Sequence, residues 1–269
     1  MNNNKPIGIF DSGLGGLTVV KSVLELMPNE DIIYFGDTAH VPYGTRSREQ
    51  ITEYVMNDVR FLSGFDIKAV VIACNTADSV AKAKVEEKYP LPVFGAVEPA
   101  AYEAAAVTEN NRIGVIATNA TIQSGAYEKA IKRRNPEAYV VSEACPLLVP
   151  LVENGRFIKG DIVTENVLRE YLEIMKNEAV DTLVLGCTHY PLLTEIIREQ
   201  MPDVNIVSSS EAAAKRLSEM LVKNNMQNEQ PQPGSMRIYV SDKAQDFEKH
   251  AEMFMGRKIT GTVSEVDPS

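Results

Sequence analysis

Tryptophan is absent, and cysteine and histidine each occur only three times in 269 residues. Three cysteines, Cys74, Cys145 and Cys187, are an odd number in a chain of this size and read as free thiols, not as a disulfide framework. Basic residues are also scarce: 27 Lys and Arg against 37 Asp and Glu leave a formal charge of −10. The longest basic run is Lys132-Arg133-Arg134, so a nucleic-acid surface and an anionic membrane surface are both excluded as expectations. No apolar stretch approaches the roughly 18 residues that a membrane span needs. The polar opening from Met1 to Pro6 lacks the apolar core of a secretory signal, and the expectation is a cytoplasmic protein. What is present is 44% hydrophobic and 24% charged residues, the composition of a folded globular chain. The length allows one large domain or two modest ones, at roughly 100–200 residues each.

Short β-rich runs alternate with amphipathic stretches. Ile7-Gly8-Ile9-Phe10 reads as a strand, followed by a Gly-rich turn and a helical pattern from about Gly15 to Met27 that Pro28 stops. Ile32 to Phe35, Ala69 to Ala73 and Pro92 to Phe94 continue the strands, with a helix across Thr76 to Lys88. Continuous Val/Ile runs are what parallel strands look like when both faces are covered. The chain is therefore expected to be α/β. A second series runs through Ile113 to Ala117, Tyr139 to Val141, a helix over Ile162 to Lys176, and Thr182 to Leu185. Ser208 to Ser210 cap a helix ending near Asn224. Asn224 to Ser235 is polar with Pro and Gly and reads as a solvated loop or hinge. Arg237 to Val240 then begins a strand and Gln245 to Met255 a helix, so the tail completes the first sheet.

The two series echo one another. Ile7-Gly8-Ile9 returns as Ile113-Gly114-Val115, and Val71-Ile72-Ala73-Cys74-Asn75-Thr76 as Val184-Leu185-Gly186-Cys187-Thr188-His189. Short self-similarity also arises by chance, so pattern alone leaves a duplication open. In both halves, however, a buried strand ends in a cysteine followed by small polar residues, and open parallel sheets bind ligands at the carboxyl ends of their strands.

Asp11-Ser12-Gly13-Leu14-Gly15-Gly16-Leu17-Thr18 opens a helix after the first strand. It has neither G-x-G-x-x-G spacing nor the Lys-Ser/Thr ending of a P-loop, which disfavours a nucleotide. The preferred reading has Asp11 and Ser12 recognise an ammonium and a carboxylate; the plain alternative is a tight turn capped by Asp11. Taken alone, Asp37 and His40 read as turn and surface residues. Cys74, followed by Asn75-Thr76 at a helix start, and Cys187, followed by Thr188-His189, have the surroundings that lower a thiol pKa from about 8.5 toward neutrality. Cys145 lacks them and reads as structural. A zinc site lacks ligand spacing, and a thiol hydrolase would leave one cysteine unexplained. Two-sided proton transfer at a carbon uses both thiols and inverts a stereocentre.

Four segments carry a resemblance: Ile7 to Val19 (IGIFDSGLGGLTV), Asp37 with Pro42-Tyr43-Gly44, Ala73-Cys74-Asn75-Thr76-Ala77, and Gly186 to Leu193 (GCTHYPLL). In this order and spacing they resemble the signature segments of glutamate racemases, within the wider aspartate/glutamate racemase group. The resemblance implies a cofactor-independent, metal-free enzyme that interconverts L- and D-glutamate and supplies D-glutamate for peptidoglycan. It implies two similar α/β domains with mainly parallel sheets, related by a pseudo-two-fold axis, with the active site between them. The boundaries that follow are 1–97 with 209–269 for the unit carrying Asp11 and Cys74, and 98–208 for the unit carrying Cys187 and His189. Cys74 matches the base for D-glutamate and Cys187 the base for L-glutamate, assisted by Asp11 and His189. Ser12, Tyr43, Gly44, Asn75, Thr76 and Thr188 match substrate contacts; Asp37, Thr118 and Glu153 are further candidates at the edge of the matching blocks. Homodimers are common in the family. The competing expectations are a racemase acting on aspartate and a small-molecule binding protein on the same scaffold.

Overall fold

A computed structural model describes residues 3–259 and 263–268. The chain opens with β1 (Ile7–Asp11), α1 (Leu17–Leu26), β2 (Ile32–Gly36), α2 (Arg48–Ser63), β3 (Ala69–Ile72), α3 (Asn75–Lys88), β4 (Val93–Gly95) and α4 (Val97–Val107). It continues with β5 (Arg112–Ala117), α5 (Asn119–Ser124), α6 (Ala126–Arg134), β6 (Tyr139–Ala144), α7 (Leu148–Glu153) and α8 (Ile162–Asn177). The remainder is β7 (Thr182–Gly186), α9 (Thr194–Gln200), β8 (Asn205–Ser208), α10 (Ser209–Lys223), β9 (Met236–Val240), α11 (Ala244–Met255) and β10 (Val263–Glu265).

Two sheets of parallel strands result, ordered β10-β9-β2-β1-β3-β4 and β6-β5-β7-β8. Both contain the same inner order, in which the second strand lies outside the first, with the third and fourth on its other side. The registers agree as well: Ile7 faces Ala69 across β1 and β3, and Ile113 faces Thr182 across β5 and β7. Corresponding positions therefore carry Cys74 and Cys187 just past β3 and β7. The tail completes the first sheet as expected, with Ile32 facing Met236.

Alternation along the strands explains why both faces must be covered. Ile7 and Ile9 join one core with Tyr34 and Val71, while Phe10 joins the opposite core with Ile33, Phe35, Val70 and Ile72. The first of these cores also includes Ile116, Leu183 and Leu185, so the two sheets share continuous apolar packing. The segment from Asn224 to Ser235 is not a free hinge. Met226 and Asn228 are buried, Asn228 N–H donates to Glu30, and Gly234 N–H donates to the Pro28 carbonyl at 2.9 Å. The strap closes over a buried ion pair, Lys68 Nζ to Glu30 Oε2 at 2.5 Å. Its polar side chains and backbone serve these buried groups, which a compositional reading cannot show. Among the described residues no helix is long and apolar enough to cross a membrane.

Candidate active site

The carboxyl ends of β3 and β7 open onto one cavity of about 360 Å³. Cys74 ends the β3 connection as the N-cap of α3, and its carbonyl accepts the first helical hydrogen bond from Asp78 N–H at 2.9 Å. Cys187 follows β7 directly and precedes the turn Tyr190–Leu193. Both thiols line the cavity and both are nearly buried. Of the residues expected at a site, Ser12, Tyr43, Gly44, Asn75, Thr76, Thr118, Glu153, Thr188 and His189 line it too. Asp11 and Asp37 do not.

Asp11 faces inward. One oxygen accepts Gly13 N–H at 2.9 Å, and the other faces the Thr188 hydroxyl at 3.4 Å. Its carboxylate therefore orders the turn that presents Ser12 and reaches the loop after Cys187; the turn of the plain alternative is present, but α1 has no side-chain cap. Burial pushes its carboxyl pKa up, against the pull of the His189 charge and of neighbouring N–H groups. The glycines serve close approach between the halves: a Cβ on Gly15 would stand 2.2 Å from Thr188 Oγ1 and 2.6 Å from the His189 ring. Asp37 stands behind Tyr43, accepting its hydroxyl at 2.6 Å.

The two thiols sit in different fields. Cys74 Sγ lies 3.7 Å from Ser12 Oγ. Burial first, and the Asp11 charge second, push its thiol pKa up to about 12, although the Ala77 N–H and Ser12 oppose the shift. Cys187 Sγ lies 3.8 Å from His189 Nδ1, and His189 Nε2 lies 3.0 Å from Glu153 Oε1. Burial alone would depress the imidazole; Cys187 and Glu153 outweigh it and carry the pKa up to about 10. Near neutral pH, His189 thus presents a cation to Cys187. Cys145 is fully buried, its sulfur 3.7 Å from the Glu143 carbonyl, and burial pushes its thiol up further still.

Polar groups join the halves around the cavity. The Thr76 and Thr118 hydroxyls meet at 2.8 Å, and Thr118 caps α5 through Thr121 N–H. The Asn75 side chain is held at both ends, accepting from Tyr127 at 2.5 Å and donating to Ser209 at 3.1 Å. The sequence reading missed Pro146, Val149 and Pro150, which give the cavity an apolar wall; residues without functional chemistry leave no motif by which to find them. Behind this lining, Asp58 is buried on a stripe of α2 with Val55, Val59 and Leu62 and bonds to Tyr43.

Two sheets of parallel strands thus bring a thiol from each to one cavity, an arrangement that admits acid–base chemistry at a small bound molecule. The model of the Asp/Glu/hydantoin racemase family matches residues 7–217, and the chain belongs to this family. It is 47% identical to a glutamate racemase of Geobacter metallireducens over 95% of this chain and 94% of that one. A glutamate racemase of Aquifex aeolicus is 46% identical, covering 94% and 95% respectively. Among solved structures, a glutamate racemase isoform from Bacillus anthracis superposes with a TM-score of 0.94 at 38% identity, over 99% of this chain and 98% of that one. The Francisella tularensis glutamate racemase, solved in complex with D-glutamate, gives 0.92 at 38% identity over 99% of both chains. The protein is an isomerase of the amino-acid racemase type.

Proposed function

We propose that the protein interconverts L- and D-glutamate by two-thiol proton transfer, with D-glutamate supplied to peptidoglycan synthesis in the cytoplasm. The observation that carries this reading is that Cys74 and Cys187, from matching positions in two like sheets, line one cavity. The glutamate racemases above support glutamate as substrate.

In the direction from L-glutamate, the Cys187 thiolate takes the Cα proton, and the electron pair of the C–H bond stays on the carbon and its carboxylate. The Cys74 thiol then delivers its proton to the opposite face, leaving Cys187 as thiol and Cys74 as thiolate. The reverse reaction exchanges the roles. His189 supplies the cation that a thiolate at Cys187 needs, and burial keeps Cys74 a thiol until it gives up its proton. Negative charge growing on the substrate carboxylate meets the amino end of α3, where Asn75 and Thr76 stand, and the Thr188 hydroxyl. Asp11 assists by ordering the Ser12 turn and touching Thr188. Neither metal nor cofactor enters the scheme.

We take residues 1–97 with 209–269 and residues 98–208 as the two units, related by a pseudo-two-fold axis. The working form is a homodimer, a reading supported by apolar residues exposed around α7 and α8, among them Leu147, Ile158, Ile162 and Val163. Sedimentation at micromolar concentration is expected to give twice the chain mass. The mechanism is tested in deuterated water: product formed early from either enantiomer should carry deuterium at Cα while unreacted substrate keeps hydrogen. Return of substrate hydrogen to the product would indicate a single base and overturn the scheme. Turnover should persist after chelator or hydroxylamine treatment.

A further inference from the structure

Behind the cavity wall, two buried carboxyls share one hydroxyl. Tyr43 Oη lies 2.6 Å from Asp37 Oδ2 and 3.0 Å from Asp58 Oδ2, and all three residues are buried. Each oxygen–oxygen contact at such a distance needs a proton between the atoms. The tyrosine supplies one, so the other belongs to a carboxyl. Asp37 is provided for as an anion: Oδ1 accepts the Ser241 hydroxyl at 2.8 Å, and His40 Nδ1 lies 2.8 and 2.9 Å from its two oxygens. Asp58 lies on the buried face of α2 with Val55, Val59 and Leu62, and its Oδ1 accepts no hydrogen bond among the described residues. Of the two carboxyls, Asp58 is thus the one whose surroundings provide least for a charge.

We propose that Asp58 is a positioning residue for the racemase reaction, acting as a neutral acid that donates to Tyr43 while Tyr43 donates to Asp37. The two bonds hold the turn at Tyr43 and Gly44 against the cavity, where Gly44 packs so closely on Thr118 that a Cβ would stand 3.0 Å from its side chain. The groups facing Asp58 are Tyr43 and Asp37, with Asp11 on the neighbouring strand, and His40 and Tyr54 stack beyond Asp37 at 4.1 Å. Burial, and after it the charges of Asp37 and Asp11, push the Asp58 carboxyl well above the usual carboxylate range; only a hydroxyl donated by Tyr43 to an ionised Asp58 would oppose the shift, and Tyr43 gives its proton to Asp37.

The kinetic part of the proposal rests on the racemase reading; the protonation part does not. Asp58→Leu, which cannot donate, should raise KM for glutamate about tenfold with a smaller fall in kcat. Asp58→Asn, whose amide donates as the acid does, should restore KM to within about threefold of the parent. Tyr43→Phe combined with Asp58→Leu should be clearly less than additive. Wild-type kinetics in a folded Asp58→Leu variant would overturn the positioning role, as would an Asp58→Asn variant as impaired as Asp58→Leu. Infrared difference spectra between the parent and Asp58→Asn at neutral pH should show the carbonyl band of a protonated carboxyl; its absence overturns the proposal even if Asp58→Leu does not fold. A parent protein that racemises no amino acid yet shows the band would instead fail the racemase reading.

Discussion

Cys74 and Cys187 occupy equivalent strand ends but differ in their electrostatic surroundings, and that difference can be measured. In the proposed scheme each thiol is the base one way and the acid the other, so Cys74→Ala and Cys187→Ala should each abolish racemisation in both directions. Cys145→Ala should leave turnover nearly intact, because its sulfur is buried away from the cavity lining. Chiral chromatography of the product distinguishes these outcomes. The folded His189 pKa of about 10 lies above its ordinary value near 6.5, so its contribution to stability is full below about pH 6.5 and is lost as pH rises through 10. Activity from L-glutamate should fall over the same alkaline range as the imidazolium loses its proton, giving the upper limb of a bell whose values belong to the coupled groups. His189→Asn should lower kcat about 10²-fold in that direction. A pH profile flat across this range would remove the imidazolium from the scheme.

The strands were readable because their apolar runs are short, continuous and bounded by turn residues. Their pairing order was not, since no local pattern states that β9 lies beside β2. α2 falls in a stretch where no element is expected from pattern, although its signals exist. Its buried positions Ile51, Val55, Val59 and Leu62 recur at helical spacing, and Ser47 with Gln50 forms a capping box. Charged residues between them hide the stripe. The positions of the two thiols at strand ends were legible from their motifs, but the expected lowering of the Cys74 thiol pKa is not met, because burial and the Asp11 charge raise it. Asp37 was read as a turn or surface residue and as a candidate substrate contact, and it is neither: it is buried behind Tyr43, a place that depends on α2 and on Ser241, more than 200 positions away in the chain. Removing the α2 cap through Ser47→Ala should cost about 1 kcal/mol. Urea melts should show a lower midpoint with unchanged slope.

At the scale of the whole molecule, one sheet is interrupted by the other. Strands β1 to β4 come first, β5 to β8 build the second sheet, and only then do β9 and β10 return to the first. The strap before β9 brings the Met226 carbonyl within 2.8 Å of Lys68 Nζ, beside Glu30. A chain ending after Asn225 should therefore be largely insoluble, judged by the soluble fraction on expression. It would leave Ile32 to Gly36 as a bare edge and the buried Lys68–Glu30 pair partly uncompensated. On the ribosome this order has a temporal meaning. The segment carrying Cys74 emerges first yet waits with an unpaired flank while the segment carrying Cys187 is translated. The sheet holding the first thiol is finished only by residues made after the second, so a nascent chain halted midway holds neither a complete first sheet nor both walls of the cavity.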